Sequence, residues 1–200
     1  MDHRQEGREL TRAAATLLLA VLVLVLLPAV AAQLARPGLS SVKVVAVAPF
    51  ADDVGMQDQL ARWAAVRLTQ LLPTPAFHVV SFDQAERTLR EMRVNPADVT
   101  SLASAVELGR RLGADAVITG RLTRVDLDPP PRILFPLPPA QPPEGPAEAF
   151  VTLDLQMAVV ATRQVILHTE TAGRAIGIFA LQHAAEMALR DYIRLLTGAQ

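Results

Sequence analysis

Residues 127 to 149, LDPPPRILFPLPPAQPPEGPAEA, hold nine of the chain's 15 prolines. Proline has no N–H for a helix or a sheet ladder and fixes its own φ, so no regular element survives that density. The stretch is predicted to be an exposed, extended, polyproline-like excursion. Whatever folds is assembled from the chain on either side of it. Four large apolar residues lie among the prolines, and Ile133, Leu134, Phe135 and Leu137 are therefore candidates for a partner contact.

The preceding chain shows alternating strand and helix signals. VKVVAVAPF (42–50) is a β-branched apolar run stopped by Pro49, which reads as a buried strand, and ADDVG after it reads as a loop. From Gln57 to Leu72 the residues Leu60, Ala64, Leu68 and Leu71 fall at helical spacing beside Trp63, with Arg62 and Arg67 turned to water. PTP ends that helix. FHVVSF (77–82) reads as a second strand, and Asp83 with Glu86 gives a capping-box signature for a helix over 84–92. VNPADVT interrupts it. A further helix over about 101–112 places Leu102, Ala105, Leu108 and Leu112 inward.

Gly113 sits where a helix C′ residue takes positive φ, with Arg110 and Arg111 suiting the dipole of the last turn. Ala114 to Val125 is predicted to be a strand, headed by Asp115, in which Gly120 allows a close approach or a bulge. After the proline stretch, FVTLDLQMAVV puts Val151, Leu153, Leu155, Met157 and Val159 on one face and Thr152, Asp154 and Gln156 on the other. ATRQ is a turn and VILHTETAG the returning strand. A final helix over about 176–196 turns Ile178, Leu181, Ala185, Ala188, Tyr192 and Leu196 inward. The order β-α-β-α-α-β-β-β-α predicts an α/β fold, a single mixed sheet covered by helices.

Residues 13 to 32, AAATLLLAVLVLVLLPAVAA, carry no charge and are long enough to span a bilayer. Pro28 and the small-x-small Ala29-Val30-Ala31 favour a cleaved signal peptide over a single anchor. Either reading places the remainder outside the cytoplasm, in the periplasm. The expected organisation is therefore a signal or anchor over 1–32, a linker over 33–41, and a domain over 42–198 that carries the insertion 127–149.

With 19 basic and 20 acidic residues and a net charge of −1, no basic face for nucleic acid is expected. The absence of cysteine excludes disulfides, thiol catalysis, thiolate metal sites and lipid attachment to a cysteine. Asp52 and Asp53 follow the first strand, where α/β proteins place functional groups, although capping the next helix explains one of them without chemistry. His183 and Glu186 share a helix face but do not make a metal site, and His78 and His168 fall on polar strand faces. No Gly-rich phosphate loop, G-x-S-x-G or H-E-x-x-H occurs, so no cofactor, metal or catalytic residue is expected.

VVAVAPF at 44–50, FHVVSFDQAERTLREM at 77–92, ELGRRLGADAVITGRLTRVD at 107–126 and ATRQVILHTETAGR at 161–174 resemble, in that order, a bacterial envelope family. It is the family built on the curli-secretion (CsgG-like) and TolB amino-terminal type of domain. Gly113, Asp115 and Gly120 carry the most specific part of the likeness, a G-A-D-x-x-x-x-G segment that enters a central strand. The resemblance implies a non-enzymatic, extracytoplasmic interaction module in envelope assembly, secretion or cell-wall complexes. Its partners would be envelope proteins or copies of itself, with membrane contact through 13–32 if that segment stays attached. A membrane pore is disfavoured, because residues 127–149 cannot supply spanning strands. The alternatives are a periplasmic small-ligand-binding domain near Asp52 and Asp53 and, last, a hydrolase.

Overall fold

A computed structural model describes residues 39–55, 58–128 and 147–198. The apolar segment 13–32 and the contact candidates Ile133, Leu134, Phe135 and Leu137 lie outside the described residues. The folded unit spans Ser41–Gln200. Its elements are β1 (Val44–Val47), β2 (Ala51–Asp52), α1 (Asp58–Leu71), β3 (His78–Val79), α2 (Phe82–Met92), α3 (Pro96–Val99), α4 (Leu102–Leu112), β4 (Ala116–Asp128), β5 (Glu148–Val159), β6 (Gln164–Ile176) and α5 (Ala180–Thr197).

They form one mixed α/β sheet in the order β3-β1-β4-β5-β6, with β2 beside β4. β1 runs parallel to β3 and β4, whereas β4, β5 and β6 form an antiparallel meander. Alternation divides the side chains between two faces. On one, Val45, Val47, Ile118, Leu122, Val151, Leu153, Leu155 and Met157 are fully buried, together with Ala64 and Leu68 of α1 and Ala184, Ala188, Leu189 and Tyr192 of α5. On the other, Ala46, Ala48, Val117 and Ala158 pack with Leu89 of α2, Val99 of α3 and Ala105 and Leu108 of α4.

The first strand is shorter than its apolar run suggests. Ala48 still donates to the Ile118 carbonyl at 2.9 Å, but Pro49 has no N–H to continue the ladder. The chain rejoins β4 as β2, with Ala51 opposite Arg121, where a loop is expected from ADDVG. VNPADVT contains the short α3, opened by Pro96. The helix over 84–92 begins earlier, at Phe82, with Ser81 at its N-cap and no side-chain cap. Glu86 does not close a capping box, because Arg62 holds both its oxygens at 3.1–3.3 Å. Leu102 is exposed at the first turn of α4.

At the other end, β6 continues three residues past Gly173, since β5 begins at Glu148 and supplies partners as far as Ile176. Ile178 is therefore outside the helix and 95% exposed, not inward-facing. The helix α5 lies directly on β6: a Cβ built on Gly173 would stand 1.9 Å from the Ala184 carbonyl oxygen. Backbone cannot give way as a side-chain tip can. Gly173→Ala is expected to lower stability by about 3 kcal/mol or more, read as a lower urea midpoint. Gly120→Ala, whose nearest obstacles are the Leu155 side chain and the edge of the Phe50 ring at 2.7–2.9 Å rather than backbone, should cost less.

Candidate functional site

The joint between α4 and β4 sets the position of the whole meander. Gly113 adopts φ 66° and closes α4, its N–H reaching the Arg110 carbonyl. One turn earlier, Glu107 holds Arg110 and Arg111, and those hydrogen bonds depress its carboxyl to about 2. Asp115 then ties three strands. Its Oδ2 accepts from the backbone N–H groups of Lys43 (2.9 Å) and Val44 (2.8 Å). Its own N–H donates to the Val44 carbonyl, and its carbonyl accepts from Val160, both at 2.8 Å. Gly120, five residues on, leaves room for the Phe50 ring and for Leu155.

Where the helical layer ends, the second face of the meander is open. The register aligns Thr119 of β4, Gln156 of β5 and His168 of β6 in one row, and Arg121, Asp154 and Glu170 in the next. Thr100, from the α3–α4 link, covers one side. Together Thr100, Thr119, Gly120, Arg121, Asp154, Gln156 and His168 line a cleft of about 210 Å3. Arg121 spreads its head between Asp53 Oδ2 (3.2 Å), Thr100 Oγ1 (2.7 Å) and the Ala97 carbonyl (3.3 Å). Gln156 Nε2 donates to the Thr100 carbonyl. His168 Nε2 lies 2.7 Å from Asp154 Oδ1.

Beyond the cleft the open face continues with a cation–π contact of Arg124 over Phe150 (5.3 Å) and the ion pair of Arg174 with Glu148. It ends at a corner where Ile176, Ile178 and Phe179 are 61%, 95% and 61% exposed. The proline-rich insertion leaves and returns here. Asp128 pairs with Glu148, Glu148 with Ile176, and Gly177 N–H donates to the Ala147 carbonyl at 2.8 Å.

The sequence candidates separate in space. Asp52 turns back on its own loop, Oδ1 accepting from Val54 and Gly55, whereas Asp53 reaches the cleft's Arg121. Glu186 is held by Arg67 of α1 and by Arg190, both of which pull its carboxyl below the usual range. His183 and His78 are exposed. Among the described residues no group of three or more His, Cys, Asp or Glu could hold a metal ion. Thr119 and His168 stand on either side of β5, about 9–10 Å apart by strand spacing, too far for a nucleophile and its base. The cleft residues are not evident from motifs, because four segments contribute them. The one local signal is Thr119, a polar residue inside the apolar AVITG run.

No family model matches the chain, and no curated protein matches it in sequence. Solved structures do. Lipoprotein GNA1162 from Neisseria meningitidis superposes with a TM-score of 0.50 at 14% identity, over 78% of this chain and 99% of that one. The PelC dodecamer from Paraburkholderia phytofirmans (0.44, 15% identity, 83% and 91%) and E. coli LpoB (0.44, 15%, 70% and 65%) superpose more loosely.

Asp115 yields a pH prediction. Its two backbone N–H partners hold the carboxyl below the ordinary aspartate value. The native state therefore keeps it ionised to lower pH than the unfolded chain does. Its contribution is complete above the unfolded value, about 4, and is lost as pH falls through the native value. Asp115→Asn should lower stability by about 1–2 kcal/mol at pH 7 and flatten the loss below about pH 4, followed by urea titration at each pH. The fold that this carboxylate helps to hold is the one shared with the meningococcal lipoprotein.

Proposed function

We propose that the chain is a non-enzymatic protein-interaction module of the bacterial envelope, working in the periplasm in assembly, secretion or cell-wall complexes. It would be a distant variant of the CsgG-like and TolB amino-terminal type of domain. The observation that carries this reading is the exposed corner of Ile176, Ile178 and Phe179, contiguous with both ends of the insertion. Three large apolar side chains at one surface point are an interaction signature where scattered single ones are not. Ile133, Leu134, Phe135 and Leu137 would enlarge the same contact from the insertion. The fold shared with an envelope lipoprotein and the apolar segment 13–32 support the compartment. Self-association has a second route through β6, which among the described residues pairs only with β5.

Site-specific photo-crosslinkers at residues 178 and 135, in the full chain expressed in a Gram-negative host, test the reading. Crosslinks from both positions to the same envelope protein, or to a second copy, are expected. Ile176→Ser with Phe179→Ser should abolish them with an unchanged urea midpoint, since both side chains are exposed. Crosslinks only to cytoplasmic proteins, or crosslinks unaffected by the double substitution, would sink it.

A further inference from the structure

The free side of β6 is a complete hydrogen-bonding edge. Gly177 N–H donates to the Ala147 carbonyl, so the odd-numbered residues of this strand turn their N–H and C=O groups to β5. His168, Glu170, Ala172, Arg174 and Ile176 turn theirs the other way, and among the described residues β5 is the only strand beside β6. From Leu167 to Ile176 the strand holds neither a bulge nor a proline to blunt that edge. The chain's own insertion cannot cover it, because the longest run free of proline in residues 129–146 is four residues, Arg132 to Phe135.

Charge on the open face selects the neighbour. Glu170 stands opposite Asp154, a like-charge pair, and among the described residues no cation pairs with its carboxylate. Arg174, four residues on, holds Glu148 yet keeps a side chain 69% exposed on the same face. Two antiparallel copies of β6 share their faces only when opposed residues have the same parity, which puts a two-fold axis on a residue. An axis at Glu170 would set that carboxylate against itself. Ala172 is the midpoint of Glu170 and Arg174, and an axis there sets each Glu170 opposite the partner's Arg174. Position 168 then pairs with 176, 170 with 174, and 172 with itself. Each pair exchanges two backbone hydrogen bonds, so every outward group from His168 to Ile176 is met.

The helix above leaves room for such a neighbour. Glu186 of α5 faces α1 through Arg67, and Ala184 and Ala188 rest on Gly173. Met187 and Leu195 lie on the flank turned away from α1 and are 46% and 44% exposed. A continued sheet brings a second α5 alongside that flank and covers both.

We infer that β6 pairs with β6 of a second copy, antiparallel about a two-fold axis at Ala172, joining two sheets into one with Glu170 and Arg174 as reciprocal ion pairs. The inference rests on the reading of the chain as an interaction module and gives its second route a partner and a register.

The test uses the full chain, which has no native cysteine, purified in micelles and mildly oxidised. Ala172→Cys places two thiols on the axis with Cα atoms about 5.5 Å apart, within disulfide reach, and a reducible covalent dimer is expected. Ile176→Cys, also exposed, would stand about 26 Å from its copy and should give none. Glu170→Arg and Arg174→Glu, each alone, set like charges opposite in both pairs and should weaken the dimer at least about tenfold in sedimentation equilibrium. Mixed together, the two variants match both pairs again and should recover the native dissociation constant, which misfolded variants would not. A native chain that stays monomeric, trapping at 176 in place of 172, or a mixture that fails to recover the dimer would overturn the inference. So would capture of a different protein by Ala172→Cys in cells in place of its copy. Corner crosslinks to an envelope protein beside a monomeric chain would sink this pairing and keep the interaction reading. Trapping at 172 without corner crosslinks would keep the pairing and sink the corner.

Discussion

β4 is the strand on which the two halves of the sheet have to agree. On one edge it pairs in parallel with β1 and β2, and on the other it pairs antiparallel with β5 along its whole length. These are different hydrogen-bond patterns, and a slip of one residue on either side would exchange the two faces. Asp115 fixes the starting point. Its carboxylate takes the N–H groups that open β1, and its main chain bonds both Val44 and Val160. Burial of Val117 on one face and Ile118 on the other results from that anchoring.

The strand β4 also determines what the surface offers. Its first half is covered on both faces and is apolar. Its second half outruns the helices on one face, and there the side chains become Arg121, Arg124 and Asp126. The cleft lies at the boundary between these regimes, where a fully buried threonine adjoins partly exposed polar side chains. Thr119 stands at that boundary and Arg121 just beyond it. Phe150 and its flanking arginines belong to the open part.

How much of this is legible in the sequence depends on the range of the interaction involved. The alternation of Val151, Leu153, Leu155 and Met157 is a period-two signal, and it gives β5 and its buried face directly. Gly113 with its preceding arginines is equally local. The break at Pro49 is visible, but the return to the sheet at Ala51 is not, because the parallel partner Arg121 is far along the chain. The Asp83–Glu86 pattern suggests a capping box that a tertiary contact, Arg62, takes apart. Ile178 resembles helix core because nothing local shows that β5 holds β6 as far as Ile176. Gly173 gives no sign that a helix backbone rests on it. The cleft depends on cross-strand register, which no single segment encodes.

The insertion and the start of the fold occupy opposite ends of β4. Val45 of β1 pairs with Ala116 at its first residue, whereas the proline-rich chain departs after Asp128 at its last. Twelve steps of about 3.3 Å separate them, roughly 40 Å along the strand. That strand is braced along its length by hydrogen bonds to β5, so it does not fold back. The sheet thus fixes the distance between two points of its own chain. Asp128 and Glu148, where the insertion leaves and rejoins the sheet, are held at a fixed stand-off from the point where the chain enters it, and a pull between those two points would be carried by a ladder of backbone bonds loaded along their strands.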